Sequence, residues 1–184
     1  DPARPGAAGP GTAARMRRYE REAPGLAAAA GARAIRAAGV DPARVTHTVL
    51  VSCTGFASPG VDHALVDRLG LPDDVERTVV GFMGCHGALN GLRTAAHAVR
   101  AEPGALVLVV AVELCSLHFA YGDDPQRIVA NTLFADGAAA VVVGDPAAAS
   151  AGRSRGTTTN AGVAAVHARP LAAAPVRLLA HGGG

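Results

Sequence analysis

This sequence contains no lysine: all 17 of its basic side chains are arginine, and aromatic residues make up only 3% of 184. With so few stacking rings, and a formal net charge of +2 that is spread out with no basic stripe, nucleic-acid binding has no support. The three cysteines, Cys53, Cys85 and Cys115, form no CxxC pair. An odd, widely spaced set argues against both a disulfide framework and a zinc site, and fits a reducing, cytoplasmic setting. No apolar run is long and uncharged enough to span a bilayer; the longest, Ala105 to Val112, has strand length. No secretory signal is read in the chain. The Arg-only, Ala- and Gly-rich composition reflects GC-rich coding, so the Ala tracts carry little functional weight.

What is present is a globular composition, 49% hydrophobic and 17% charged, long enough for one sizeable domain with a core. Residues 1–14 read as irregular and 15–146 as the folded domain, in which strands alternate with helices. A helix is expected over Arg15 to Ala38, broken near Pro24-Gly25 and closed by Gly39. Val45 to Ser52 is β-branched and reads as a strand. Val61 to Leu69 reads as a helix ended by Gly70, and Thr78 to Phe82 as a short buried strand. Leu89, Leu92, Ala96 and Val99 have helical spacing up to Pro103-Gly104. Ala105 to Val112 reads as a strand, Arg127 to Leu133 as a helix and Ala138 to Gly144 as a strand. Residues 147–184 read as a low-complexity, poorly ordered tail with a short strand at 161–168. Alternating strands and helices imply an α/β layered sheet.

The segment Gly81-Phe-Met-Gly-Cys85-His-Gly87 sets a thiol among glycines at a strand-to-helix junction. A cysteine in the first turn of a helix meets unpaired backbone N–H groups, a setting that favours the thiolate that attacks carbonyls. Gly84 and Gly87 leave room for an acyl group. The bland alternative is a small cysteine packing as a hydrophobe. Each of the three cysteines falls at the C-terminal end of a strand, where ligand sites gather in such folds, so one pocket lined by all three is expected. Glu113 at a strand end reads as a buried, hydrogen-bonded carboxylate in preference to a cavity acid, and Asp136-Gly137 as turn chemistry in preference to catalysis. His47, His63, His97 and His167 share no metal-ligand spacing, and no metal site is expected.

Five ordered motifs carry a family resemblance: Arg15-Met-Arg-Arg-Tyr-Glu20, Val51-Ser-Cys-Thr-Gly-Phe-Ala-Ser-Pro-Gly60, the Cys85 segment, Glu113-Leu-Cys-Ser-Leu-His118 and Leu133-Phe-Ala-Asp-Gly-Ala-Ala-Ala140. From about Gly11 to Pro146 the chain resembles the type III polyketide synthases, the chalcone synthase-like branch of the thiolase superfamily. The Cys-Thr-Gly-Phe and Glu-Leu-Cys-Ser-Leu-His segments look closest to the bacterial alkylresorcinol and alkylpyrone synthases.

The resemblance implies a thiolase-like layered α/β fold, of which this chain is the N-terminal half, and a homodimer in the full-length protein. It implies an acyltransferase that condenses an acyl-CoA starter with malonyl-CoA by decarboxylative Claisen chemistry through a thioester on Cys85. The CoA thioesters are substrates, and no further cofactor is needed. Cys53, Cys115 and His118 match cavity-lining positions, and Phe134 an aromatic gatekeeper. Ser58 stands where plant members often carry a Met, and Ser58-Pro59 falls where a cis bond is expected. Family members also use a His and an Asn from their C-terminal half, and nothing here matches those motifs. The chain alone is therefore expected to lack turnover. The alternatives are a ketoacyl-ACP synthase of fatty-acid initiation, or an inactive truncated copy.

Overall fold

The computed structural model describes residues 9–144 and the backbone of 162–170. The first helix, α1 (Thr12–Ala38), begins three residues before the expected start and runs unbroken through Pro24 to a left-handed C-cap at Gly39. Proline lacks the N–H that would serve the carbonyl of Glu20, but Glu20 is on the exposed side, where water can take its place. Meanwhile Ala23, Ala27, Ala30 and Ala34 bury one continuous face across the proline. Packing outweighs the lost bond.

Five strands follow: β1 (His47–Ser52), β2 (Glu76–Gly81), β3 (Leu106–Leu114), β4 (Asp136–Gly144) and β5 (Gly162–Pro170). They form one mixed sheet in the order β2-β1-β3-β4-β5. β1 is parallel to both β2 and β3, whereas β4 runs antiparallel to β3 and β5 antiparallel to β4. Three further helices are α2 (Val61–Leu69, ended by Gly70 in the left-handed region), α3 (Gly87–Ala101) and α4 (Pro125–Leu133), the last with no buried residue. Strand β5 meets the short strand expected at 161–168; the rest of the 147–184 tail lies outside the described residues.

The sheet is covered on both faces. On one, α1 and α2 enclose Tyr19, Ile35, Leu65, Leu106, Leu108, Val110, Val112 and Val142. On the other, α3 packs Ala95 against Val49, Val51, Val107, Val109, Val141 and Val143. At the apolar-burial scale of about 1.5–3 kcal/mol per large side chain, these clusters dominate the favourable side of folding. No described helix is long and apolar enough to cross a membrane.

Two expectations change. Strand β2 is an edge strand and largely exposed, not buried, because only β1 pairs with it. The buried stripe of α3 is Gly87, Gly91 and Ala95, with Leu92 and Val99 half-buried beside it, while Leu89 is 62% exposed. Small residues let the helix backbone approach the sheet, and Leu89 is left off the buried face. Ala105 to Val112, the longest apolar run, forms the buried centre of the sheet. Exposed apolar side chains occur instead on β2, on α4 and around Cys85.

Candidate active site

Strand register gathers the site. Ser52 lies opposite Gly81, Val51 opposite Ala111 and Leu114 opposite Asp136, so the C-terminal ends of β1, β2 and β3 and the start of β4 share one end of the sheet. Cys53 and Cys115 are the first residues after β1 and β3. Cys85 follows the end of β2 by four residues.

Between β2 and α3 the backbone turns sharply. Phe82 has φ +56 and donates its N–H to the Ser52 carbonyl at 3.3 Å. A bulky residue in the left-handed region costs on the order of 1–3 kcal/mol and persists where its flanks are fixed. Gly84, at φ +73, adopts the same region without that cost. Cys85 then sits in a 3-10 turn, Gly84–His86, that leads into α3, and no side chain caps either element. The far flank is fixed by close approach: a side-chain carbon at Gly87 would fall 2.9 Å from Val51 Cγ1, and one at Gly91 2.8 Å from Val51 Cγ2. The N-terminal part of α3 is therefore seated directly on β1. Cys85 is exposed, together with Met83, Gly84 and His86, so the thiol is presented on an open shelf ahead of the helix and not inside its first turn.

Cys53 and Thr54 are held by Glu113. The Cys53 N–H donates to both carboxylate oxygens, at 2.9 and 3.1 Å. The Thr54 N–H donates at 3.0 Å and the Thr54 hydroxyl at 2.7 Å. The same hydroxyl accepts the Leu114 N–H at 2.8 Å. Glu113 is thus the hydrogen-bonded carboxylate expected at that strand end. The Cys53 sulfur in turn accepts the Gly84 N–H at 3.2 Å, and its thiol faces the Gly84 carbonyl at 3.7 Å.

Cys115 is half-buried, and burial pushes its thiol up from the ordinary value, helped by the negative charges of Glu113 and Asp136 and by Cys85. It stays protonated where a nucleophile needs a thiolate. Asp136 accepts the Ser116 N–H at 2.8 Å and the Ser116 hydroxyl at 2.7 Å, which ties the start of β4 to the Cys115–His118 turn. His118 is exposed, with Nε2 2.6 Å from the Thr54 carbonyl oxygen. A carbonyl only accepts, so Nε2 carries the proton. Phe134 ends α4, two residues before β4, and is 58% exposed. The three thiols, Glu113 and His118 are thus brought to one end of the sheet, and Phe134 follows on the chain leading into it.

Helix α1 braces this end from behind. Tyr19 and Ser52 share a buried hydrogen bond of 2.7 Å, and the Arg15 guanidinium donates to the Leu117 carbonyl. Gly55 lies so close to the Tyr19 ring that no side-chain carbon fits between them. Burial raises the Tyr19 phenol above its usual range, which keeps the hydroxyl protonated in this bond. Sequence reasoning used Arg15 and Tyr19 only for resemblance, since no local spacing signals partners so far along the chain. Ser58–Pro59, in the loop that Gly55 opens, is cis.

A second polar group lies at the opposite end of the sheet. His47 Nε2 is 3.4 Å from Glu76 and 3.5 Å from Glu102, and its Nδ1 meets the Thr46 hydroxyl at 2.8 Å. These three residues could hold a cation, their ligand atoms lying within 4.8 Å of one another. Two are exposed carboxylates, and the group is a strand's length from Cys85. Sequence spacing hid it, because parallel pairing brings Glu76 beside His47.

Chain comparison decides the family. The profile of "Chalcone and stilbene synthases, N-terminal domain" matches residues 6–147. The chain belongs to this family. Over 126 residues, 68% of the chain, it is 44% identical to "Probable polyketide synthase 1" of Dictyostelium discoideum, of which that segment is 4%. It is equally similar over 126 residues to "Alpha-pyrone synthesis polyketide synthase-like Pks18" of Mycobacterium tuberculosis, covering 32% of that protein. Among solved structures, the C-terminal type III polyketide synthase domain of Dictyostelium "Steely1" matches with a TM-score of 0.69 and 42% identity over 71% of this chain and 36% of that one. PKS-I of the brown alga Ectocarpus siliculosus matches at 0.68 and 40%, over 71% and 34%. The fold is therefore the thiolase-like fold of the type III polyketide synthases, and the chain spans about a third of the mycobacterial relative's length.

Proposed function

We propose that this chain carries the nucleophile half of a type III polyketide synthase, with Cys85 as the acyl acceptor. The observation that carries the reading is Cys85 itself: an exposed thiol on an uncapped turn, at the strand ends where the other two thiols converge. The Cys85 thiolate attacks the carbonyl of an acyl-CoA, the carbon–sulfur bond to CoA breaks, and CoA leaves as its thiol after taking a proton. Malonyl-CoA then loses CO₂, and its enolate carbon attacks the Cys85 thioester, which transfers the lengthened chain to CoA and frees the sulfur. Cys53, Cys115 and His118 line the space where the chain grows, and Phe134 stands at its entrance. Cys115, kept as a thiol, bounds this space without competing as a nucleophile.

Extension also needs donors where enolate charge develops, and the loss of one such donor costs about 10²–10³ in rate. The family's His and Asn for that task have no counterpart here, and the His118 proton is committed to Thr54. The chain alone is therefore proposed to accept an acyl group without releasing polyketide. The full-length protein is proposed to be cytoplasmic and to form a homodimer, the dimer being supported by the apolar side chains left exposed on β2 and α4, among them Val79, Ile128 and Leu133. The test is to supply full-length protein with long acyl-CoA and malonyl-CoA. Resorcinol or pyrone products formed without carrier protein are expected; a strict requirement for acyl-carrier protein would move the assignment to a ketoacyl synthase.

A further inference from the structure

The turn that carries Cys85 has no cap of the ordinary kind. Neither Met83, before the 3-10 turn, nor His86, before α3, supplies a side-chain acceptor. The Gly84 N–H nonetheless has a partner, the Cys53 sulfur at 3.2 Å, reached from the end of a different strand. The Gly84 carbonyl, which already accepts the Gly87 N–H, faces the same thiol at 3.7 Å. One thiol, a weak donor and a weak acceptor, therefore serves both sides of the residue that precedes Cys85. Cys53 cannot drift, since its own N–H is held by both oxygens of Glu113 and Thr54 is held by the same carboxylate.

We propose that Cys53 is a positioning residue for the nucleophile: its sulfur holds the Gly84 peptide and so fixes the turn from which Cys85 presents its own sulfur, a role that rests on Cys85 being the acyl acceptor. Glu113 is the anchor of this brace. Gly84 has to be glycine for its left-handed φ, and it is also the least restrained residue type, so a tether there removes the most freedom. Reactivity at Cys85 depends on where the turn presents its sulfur, and small misplacements at a reacting atom are costly.

The test uses the 184-residue chain and iodoacetamide, with labelled peptides quantified over time. In the unsubstituted chain Cys85 is expected to label first. Cys53→Ala should slow Cys85 labelling about fivefold, the worth of one net hydrogen bond. Cys53→Ser, whose hydroxyl can serve the same two groups, should restore most of the rate. Cys115 labelling serves as the reference, because a general loosening of the fold would speed it in either variant. An unchanged Cys85 rate in Cys53→Ala, with Cys115 also unchanged, would overturn the proposal. Should Cys53→Ala fail to fold, amide exchange in the unsubstituted chain decides: slow exchange at Gly84 supports the tether, and exchange at the rate of an open loop sinks it. Labelling of Cys53 ahead of Cys85 refutes the nucleophile reading itself, a separate outcome that the variants do not mimic.

Discussion

The two faces of the sheet are built differently. Under α1 and α2 lies the larger cluster, with Tyr19, Ile35 and several leucines that leave almost no exposed surface. Under α3 the buried residues are Val and Ala, with Gly87 and Gly91 pressed onto Val51. Large side chains hold a helix at a distance and contribute area; glycines bring a backbone close and contribute position. The first face secures the domain. The second sets the height and angle at which the turn before α3 holds Cys85, and its surroundings keep Phe56, Phe82, Met83 and Leu89 exposed.

The largest effect should come from the thiol that the second face positions. On the proposed function, Cys85→Ala in the full-length protein should lower polyketide formation by at least about 10³-fold, a loss in line with removing a covalent nucleophile. The 184-residue chain alone, given acyl-CoA and malonyl-CoA, should form no more than one acyl adduct per molecule. Catalytic product release from it would mean that the residues present here suffice. Next in size is a comparison of leucines read by urea unfolding. Leu108→Ala, in the α1 cluster, should cost about 2–5 kcal/mol, while Leu89→Ala on α3 should stay within about 0.5 kcal/mol. Equal losses would show that α3 buries Leu89 after all.

How far the sequence could show this follows from where each signal resides. Strands β1 and β3 are legible because their β-branched runs are local, and α2 because Gly70 marks its end. The α/β class, the shared strand ends of the three cysteines and the hydrogen-bonded state of Glu113 follow from the same local patterns. The exposure of β2 was hidden, because Thr78-Val-Val reads alike in an edge and a central strand, and only pairing order separates them. The packed face of α3 was legible in part: Leu92 and Val99, at helical spacing, do lie against the sheet, whereas Leu89 in the same pattern is exposed. The partners of Glu113, Tyr19 and His47 come from other elements, and register, not spacing, brings them together. Cys85 was located correctly at the junction, but its exposure depends on what packs above it, which no local pattern records.

The glycines give a finer version of the same contrast. Gly25, on the exposed side of α1, has open space around a would-be side-chain carbon. Gly25→Ala should stabilise the chain by roughly 0.5–1 kcal/mol through helix propensity. Gly91→Ala gains the same propensity but pushes a methyl to 2.8 Å from Val51 Cγ2 and 3.3 Å from Val109 Cγ1, both on stiff β-branched side chains. Overpacking of about 1–3 kcal/mol should exceed the gain and leave a net loss. Paired thermal melts check the opposite signs. A stabilising Gly91→Ala would remove the claim that α3 is seated by contact.

The smallest effect concerns the half-buried thiol beside the site, and its sign follows from linkage. Burial, Glu113, Asp136 and Cys85 raise the Cys115 thiol above its ordinary value of 9.0 in the folded chain. At pH values where an unfolded Cys115 has begun to lose its proton, the folded chain still keeps it, so the folded state binds more protons and stability falls as pH rises. The contribution is fully present below 9.0 and is lost as pH climbs through the raised folded value. Tyr19 acts in the same direction, but only beyond its own ordinary value of 10.0, which leaves a window below it for the thiol alone. Urea midpoints at about pH 8 and about pH 9.5 should therefore fall in the unsubstituted chain, and less steeply in Cys115→Ser, which has no proton to lose there. Because Cys115 is only half-buried, water screens its neighbours and the difference in slope should be modest. Identical slopes would mean that the thiol is as well solvated folded as unfolded, and that the carboxylates of Glu113 and Asp136 are turned wholly toward the backbone they bind.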